Sequence, residues 1–174
     1  HEDSRCCLLT FDTVSLHAET IDSIRAVVEK KTGINRSSVM CTVSHTHSGP
    51  RIVPEWNTSI TEDDREYRER VIDTSAEAAV KATESMQPAD LFYNYDYIRE
   101  NINRRVFFPN GTYYYLPKQK NLRHIADGRT DDEVGVMFFR NRSDLSYPAT
   151  IVTYTAHPLT VGDSSSLISA DYPG

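Results

Sequence analysis

The chain has 174 residues, of which 39% are hydrophobic and 25% are charged, and this balance excludes a disordered chain. The formal net charge of -6, with no basic block, disfavours a nucleic-acid-binding surface. No apolar run approaches the roughly 20 residues of a membrane span. Composition therefore predicts one globular domain over residues 1–174. We expect this domain to be incomplete, because a helix or a strand should follow Ser169–Gly174.

The first part of the chain predicts a strand, a helix and a second strand. Cys6–Phe11 is a short apolar run of the kind that forms a strand buried on both faces. Apolar residues then recur at helical spacing over about Glu19–Lys31, and Gly33 lies just beyond as a C-terminal stop. A second β-rich run begins at Val39, so the three elements predict a βαβ unit.

A second helix has the clearest start signal in the chain. Thr61-Glu62-Asp63-Asp64 has the pattern of a capping box, with acidic residues in the first turn. Pro88 is expected to end this helix. The spacing of its apolar residues predicts a buried face formed by Tyr67, Val71, Ala78 and Ala82.

The second half of the chain is aromatic and extended. Strands are predicted over Leu91–Ile98, Val134–Phe139 and Ala149–Ala156. The long polar segment before the second of them, with Asn103-Arg104 and Tyr113-Tyr114-Tyr115, is either functional or an irregular surface connection. The order of these elements predicts the α/β class, with a mixed β-sheet covered by helices.

The three cysteines do not form a recognisable framework. Cys6 and Cys7 are adjacent, and Cys41 lies within the second strand, so the spacing matches neither a disulfide scaffold nor a zinc-ligand motif. We expect all three to be small buried residues.

Two histidine segments are predicted to share one centre. The run from Val39 ends in His45 and His47, and because alternate side chains of a strand share a face, both imidazoles are expected on one side. The Ala149–Ala156 strand leads directly into His157, at the strand end where open α/β sheets bind ligands. Polar loop residues would also explain the His45 and His47 spacing. His157 favours a site, because a titratable group in a buried strand needs a partner.

Metal binding is the chemistry that this histidine pattern indicates. Neutral imidazole is the commonest protein metal ligand, and catalytic zinc sites take about three protein ligands and leave a position for water. No carboxylate pair, phosphate-binding glycine loop or nucleophilic serine elbow accompanies it in the sequence. The histidines without such a setting are expected at the surface: His1, His17 and His124.

The same residues carry a resemblance to a known family. Ser44–Pro50 closely resembles the Thr-His-Thr-His-Ser-Gly-Pro signature of the neutral/alkaline, non-lysosomal ceramidases, which are zinc amidases. Further segments are similar to segments of that family in the same order: Leu9–Asp12, Asn103-Arg104, Asp132–Val136 and Ala156–Pro158. The resemblance runs along nearly the whole chain and implies the family's layered α/β catalytic domain.

The resemblance implies specific site residues. Zn²⁺ would be held by His45 and His157, while His47 and Arg104 would hold the substrate carbonyl or its oxyanion. The implied reaction is hydrolysis of N-acylsphingosine to sphingosine and fatty acid by metal-activated water. In the family, a glutamate and a tyrosine from segments beyond Gly174 complete the metal site. We therefore expect the 174 residues alone to bind zinc weakly and to be inactive toward ceramide.

Partners and location are implied by the resemblance in the same way. They are a small lipid substrate, ceramide or a similar N-acyl compound, and peripheral contact with a membrane surface in the full-length protein. The family is mostly exported, so a periplasmic or extracellular location is expected.

Departures from the family pattern leave the substrate open. Arg51-Ile52 follows the signature where ceramidases continue with glycine, and Leu159 stands where they tend to have Thr-Ser after His-Pro. One alternative is a non-catalytic ceramidase-like module that binds an acylated ligand or a partner through the Tyr113-Tyr114-Tyr115 loop. Another is a metallohydrolase of a different amide or ester.

Overall fold

The computed structural model describes residues 4–50, 52, 59, 61–111, 113–115, 128–161 and 165–174. It confirms the α/β class. The chain divides into two compact units, residues 1–86 with 157–174, and residues 87–156. The elements in chain order are β1 (Cys7–Phe11), α1 (Ala18–Thr32), a 3-10 turn (Arg36–Ser38), β2 (Val39–Val43), α2 (Glu62–Glu84), β3 (Ala89–Tyr97), β4 (Arg105–Phe107), β5 (Tyr113–Tyr115), β6 (Glu133–Asn141) and β7 (Ala149–Thr153).

The first unit contains the predicted βαβ arrangement. β1 and β2 pair in parallel, with Cys7 opposite Val39 and Phe11 opposite Val43, and α1 makes the crossover. β1 alternates between half-buried and exposed residues, and Leu8 is 37% exposed. The prediction that β1 is buried on both faces is therefore wrong, because the apolar core covers only the face that carries Cys7, Leu9 and Phe11.

The end of α1 and the start of α2 lie where the sequence signals predicted, whereas α2 ends at Glu84, before the expected stop at Pro88. Gly33, at φ 71°, closes α1 in the left-handed conformation that glycine adopts without strain, and its N–H donates to the Glu29 carbonyl. Thr61 and Asp64 form a reciprocal capping box at the start of α2. Among the described residues, neither helix is apolar over a length that could cross a bilayer.

The buried face of α2 differs from the predicted one. Ala78 and Ala82 are exposed, so their assignment to the core is wrong. The buried residues are instead Ile72, Ser75, Ala76 and Ala79. Alanine is apolar enough to fit either face, and packing against α1 selected a face rotated from the one that periodicity predicted.

The core of the first unit lies between the two helices and the parallel strands. Ile24 and Val28 of α1 are both 0% exposed, and Val39 of β2 is 1% exposed. The remaining buried members of the cluster are Ile34, Ile72 and Ala79. This core holds β2 through Val39 at its start, and the first histidine segment follows the end of the strand at Val43.

The cysteine prediction is only partly correct. All three thiols are free, but Cys6 is exposed because it precedes β1 and lies outside the core. Cys7 and Cys41 are half-buried, and burial raises the pKa of both thiols. Their thiols are therefore held more firmly in the neutral form than a free cysteine would be.

The second unit is built from antiparallel strands. β6 lies between β3 and β7, with Tyr97 opposite Glu133 and Gly135 opposite Thr153. β4 and β5 form a separate two-stranded hairpin. The strands predicted over 91–98, 134–139 and 149–156 thus exist, although β7 ends at Thr153.

An ion pair cluster ties the start of β3 to the end of β6. The Asp90 carboxylate accepts from Arg142 Nε at 2.8 Å and from Arg140 at 3.3 Å. The hydrogen bond from Arg142, followed by that from Arg140, lowers the pKa of Asp90. Asp90 is thus held in its charged form down to a lower pH than an isolated aspartate.

Candidate metal centre

Three histidines from distant parts of the sequence meet in the first unit. One ring nitrogen from each of His45, His47 and His157 lies within 4.8 Å of the others, and all three side chains are exposed. The ring centroids are 5.1 Å apart for His45 and His47, and 4.9 Å for each of the two pairs with His157. The predicted convergence of the two histidine segments is therefore present in the structure.

The local geometry that brings His45 and His47 together is not a strand. β2 ends at Val43, and His45 has φ 65°, a left-handed backbone conformation that is uncommon for a residue other than glycine. The two rings are perpendicular rather than parallel on one strand face. The histidines lie on the same side because of the conformation of the loop after β2, and the expected alternation along a strand is not the cause.

The loop after β1 holds His45 in this unusual conformation. The Ser44 N–H donates to Phe11 O at 2.9 Å, and the His45 N–H donates to Thr13 O at 3.1 Å. His45 Nδ1 lies at hydrogen-bonding distance from Val14 O. Since a carbonyl only accepts, the neutral ring must carry its proton on Nδ1, which leaves the Nε2 lone pair free to bind a ligand.

Close packing continues after the histidines. A Cβ on Gly49 would lie 2.6 Å from Asp12 O, so only glycine fits where the histidine loop contacts the loop after β1. Thr13, which is 1% exposed, donates its hydroxyl to Pro50 O at 3.3 Å. Gly49 and Pro50 therefore pack the histidine loop against the residues that directly follow β1.

His47 and His157 make the closest contact in the cluster. Their Nε2 atoms are 3.1 Å apart, and their rings are nearly perpendicular. Two ligands of a tetrahedral zinc ion with bonds near 2.0–2.1 Å are about 3.3 Å apart. The separation of these two nitrogens fits two ligands of one metal ion, and it equally fits a hydrogen bond in which one Nε2–H donates to the other ring.

His157 does not occupy a buried strand position. It follows β7 in a loop, and its side chain is exposed, whereas the next residue, Pro158, is buried. The prediction that a core position had been given to a titratable group is wrong. Proline fills the apolar position instead, and the histidine faces outward toward the other two imidazoles.

The donor set fits zinc in its chemistry. It consists of imidazole nitrogens, which zinc prefers, and the hydrogen bond from His45 to Val14 O is the kind of outer contact that orients a metal-bound histidine. The Ser44 hydroxyl is buried beside this cluster and has no hydrogen-bond partner among the described residues.

A third segment, which the sequence did not indicate, contacts the first histidine loop. Thr46, which is 0% exposed, donates its hydroxyl to Ser169 O at 2.8 Å, and the Ser169 N–H donates to Ser48 O at 2.9 Å. The Ser48 N–H in turn donates to Thr46 Oγ1 at 3.2 Å. Both contacts to Ser169 involve its backbone, which no side-chain pattern could have predicted.

Arg104 belongs to the second unit, residues 87–156, and is half-buried immediately before β4. Its neighbour Asn103 pairs with Gly128 in an isolated bridge and donates from Nδ2 to Arg129 O at 3.1 Å. A cavity of about 210 Å³ beside them is lined by Arg99, Asn101, Ile102, Asn103, Gly128, Thr130 and Asp132. The role of Arg104 toward a substrate stays a prediction.

The other predicted site features have mixed outcomes. His17 is exposed at the start of α1, as expected. His1, Arg51 and His124 lie outside the described residues. Tyr113–Tyr115 forms β5, which pairs with β4, so the prediction of a loop at these residues is wrong. The orientation of these side chains is outside what the structure describes.

Comparison with known proteins supports a ceramidase-like relationship through the fold. No protein-family model and no curated protein matches the sequence. The structure is similar to the crystal structure of a neutral ceramidase from Pseudomonas aeruginosa, with a TM-score of 0.68 over 92% of this chain and 21% sequence identity. The match covers 25% of the ceramidase chain, so this chain spans about a quarter of that protein's length. At this identity the similarity shows a ceramidase-like fold and leaves activity open.

Proposed function

We propose that this chain carries the metal-binding part of a zinc-dependent amide hydrolase that resembles neutral ceramidase. The observation that carries the proposal is the meeting of His45, His47 and His157 within 4.8 Å, although the last is 110 residues from the second. A ceramidase-like fold and the Ser44–Pro50 motif point to the same chemistry. A chance surface cluster would not be expected to combine these features.

His45 and His157 are the proposed zinc ligands. The Val14 carbonyl holds the proton of His45 on Nδ1, so that Nε2 presents its lone pair. When bound, zinc supplies a Lewis acid that lowers the pKa of a coordinated water toward about 7 and polarises a carbonyl oxygen. The exposure of all three histidines leaves the centre open on one side to an approaching substrate.

His47 is the proposed contact to the substrate carbonyl. Its ring stands perpendicular to both other imidazoles, and its Nε2 lies beside His157 Nε2 at 3.1 Å. An Nε2–H in that position would donate a hydrogen bond to the carbonyl oxygen. This hydrogen bond would strengthen as negative charge develops on that oxygen in the transition state. We assign Arg104 to the same oxygen on the strength of the Asn103-Arg104 resemblance.

The proposed substrate is ceramide or a similar N-acyl lipid, cleaved at its amide bond to an amine and a fatty acid. The full-length protein would meet this substrate at a membrane surface, in a periplasmic or extracellular location. These assignments rest on the sequence resemblance to the ceramidases. The departures at Arg51-Ile52 and Leu159 make acyl-chain preference a separate question.

Metal analysis of the full natural protein tests the proposal. We expect about one zinc per chain, and we expect the His45→Ala/His157→Ala double variant to lose both the metal and hydrolysis of a fluorogenic N-acyl amide. His17→Ala is the matched control, since His17 is an exposed histidine whose side chain makes no cap hydrogen bond. Its zinc content and activity should equal those of the unmodified protein.

The alternatives predict different outcomes of the same experiment. A non-catalytic binding module would contain no stoichiometric zinc, or would keep any residual hydrolysis after both histidines are removed. A metallohydrolase of another amide or ester would lose zinc and activity as proposed but would prefer other compounds in a substrate panel. Retention of full activity by the double variant would overturn the zinc assignment.

A further inference from the structure

We infer that Asp171 is a positioning residue for the histidine cluster. Its carboxylate fixes the loop that follows His157, and the nearby Ser169 holds the loop that carries His45 and His47. This inference rests on the proposed function, because the groups being positioned are the proposed metal ligands. It adds residues that lie outside the histidine motifs.

The Asp171 carboxylate accepts hydrogen bonds from Thr160 and Val161, which follow His157, and from its own neighbour Tyr172. Oδ1 accepts from the Thr160 N–H at 3.1 Å, the Thr160 hydroxyl at 2.6 Å and the Tyr172 N–H at 2.7 Å. Oδ2 accepts from the Val161 N–H at 2.8 Å. These bonds define the position of Thr160 and Val161, which closely follow His157 in the chain.

The loop between His157 and Thr160 has little freedom of its own. The Leu159 N–H donates to His157 O at 2.9 Å, and the intervening Pro158 is buried with a fixed φ. A displacement of Thr160 would therefore be transmitted to the backbone of His157 rather than absorbed by the connection.

Ser169 extends the same network to the first histidine loop. It is bonded through its backbone to Thr46 and Ser48, the residues on either side of His47. Its hydroxyl accepts from the Asp171 N–H at 3.0 Å. One short stretch thus contacts the loops of both histidine segments, and a change at Asp171 alters the relation between them.

The charged carboxylate is suited to this role. An asparagine has one acceptor oxygen, so its NH₂ group would face either Val161 N–H or the donors now bonded to Oδ1, and at least one donor would lose its partner. Asp171 also has φ 62°, a conformation that aspartate and asparagine tolerate better than most residues. Asp171→Asn therefore changes the hydrogen bonds with little change in backbone preference.

The test compares Asp171→Asn and Thr160→Val with Asp144→Asn in the full natural protein. Asp144 is a matched control because its carboxylate likewise bonds a nearby serine, accepting from the Ser146 N–H at 2.9 Å and hydroxyl at 2.7 Å, within the second unit. Zinc affinity is measured by competition with a chromophoric chelator, and the ligand-field spectrum of bound Co²⁺ reports ligand geometry. Long-range ¹H–¹⁵N spectra of the metal-free protein report the His157 ring.

We expect Asp171→Asn to weaken zinc binding about 10-fold to 100-fold and to alter the Co²⁺ spectrum, as loss of outer contacts does at other zinc sites. Thr160→Val should change both in the same direction by less, and it decides the matter if Asp171→Asn does not fold. Asp144→Asn should leave both unchanged. The positioning role is overturned if Asp171→Asn leaves zinc affinity and the His157 ring signals unchanged, or if Asp144→Asn has an equal effect.

A failure of the proposed function gives a distinct result. If the unmodified protein binds no zinc, the metal assignment fails, and the His157 ring signals of the metal-free variants alone decide the positioning role. A shift of those signals in Asp171→Asn but not in Asp144→Asn supports it. Unchanged signals in both contradict it.

Discussion

Replacement of His47 distinguishes between two possible roles of this residue, as a metal ligand or as a contact to the substrate. The three ring nitrogens are close enough for His47 to serve as either, since its Nε2 lies 3.1 Å from that of His157. We predict that His47→Ala keeps its zinc but loses most of its hydrolytic activity. The proposed reason is that His47 donates to the carbonyl oxygen, while His45 and His157 bind the metal.

The two roles differ in the size of their effects. Zinc binding in a four-ligand site is worth about 10–16 kcal/mol, or about 3 kcal/mol for each ligand, so loss of one ligand should weaken binding about 100-fold or more. Loss of one donor to an oxyanion lowers kcat by about 100-fold to 1,000-fold and leaves the metal in place. His47→Ala should therefore bind zinc within about 10-fold of the unmodified protein.

The assay measures zinc affinity by chelator competition and kcat at saturating zinc for each variant. His45→Ala provides the reference for loss of a ligand, and His47→Gln, which retains an N–H donor, should recover part of the lost kcat. If His47→Ala loses zinc to the same extent as His45→Ala, His47 is a ligand and the proposed division of roles is refuted.

Measurements of the free energy of unfolding test three features of the fold, which are a helix cap, a buried core residue and an ion pair. Thr61→Ala should lower the free energy of unfolding by about 1 kcal/mol in urea denaturation, because it removes one side of the capping box. Ile24→Ala should cost about 2–5 kcal/mol, since this side chain is 0% exposed in the core. Asp90→Asn should reduce the loss of stability below about pH 4, because Arg142 and Arg140 hold the pKa of Asp90 below its unfolded value. The contribution of a depressed carboxyl pKa is present above the unfolded pKa and is lost as the pH falls through the folded one.

Controls for these variants come from similar residues in less demanding positions. Ser85→Ala at the end of α2 and Ile168→Ala, where the side chain is 79% exposed, should each change stability by less than about 0.5 kcal/mol. Equal losses for Ile24→Ala and Ile168→Ala would contradict the position of the core. For Asp90→Asn, an acid-unfolding curve that superimposes on that of the unmodified protein would contradict the ion-pair explanation.

Local signals in the sequence were enough to predict both helices and five of the strands, whereas β4 and β5 lie in the segment for which no strand was predicted. Gly33 marks the end of α1 and Thr61 the start of α2, because a left-handed cap and a capping box depend on the residues present there. The order strand, helix, strand in the first part of the chain also predicts the βαβ unit, in which β1 and β2 pair in parallel and α1 connects them. The choice of His45, His47 and His157 as one cluster came from their type and their place after strands.

Tertiary contacts decided which residues are buried where the local sequence signals could not distinguish between neighbours. Ala78 and Ala79 have the same side chain, and only packing against α1 determined which is buried. The sequence likewise predicted a buried His157, whereas the neighbouring proline occupies the apolar position. Small and amphipathic residues satisfy more than one environment, so periodicity alone could not distinguish them.

The sequence by itself determined which residues could bind a metal, and the tertiary structure decided how they are held. The Val14 carbonyl that orients His45 and the Ser169 backbone that bonds Thr46 could come from any residue type. Backbone N–H and C=O groups occur at nearly every position and have no sequence signature. Their partners depend on which loops meet, and that meeting is set by the packing of distant segments.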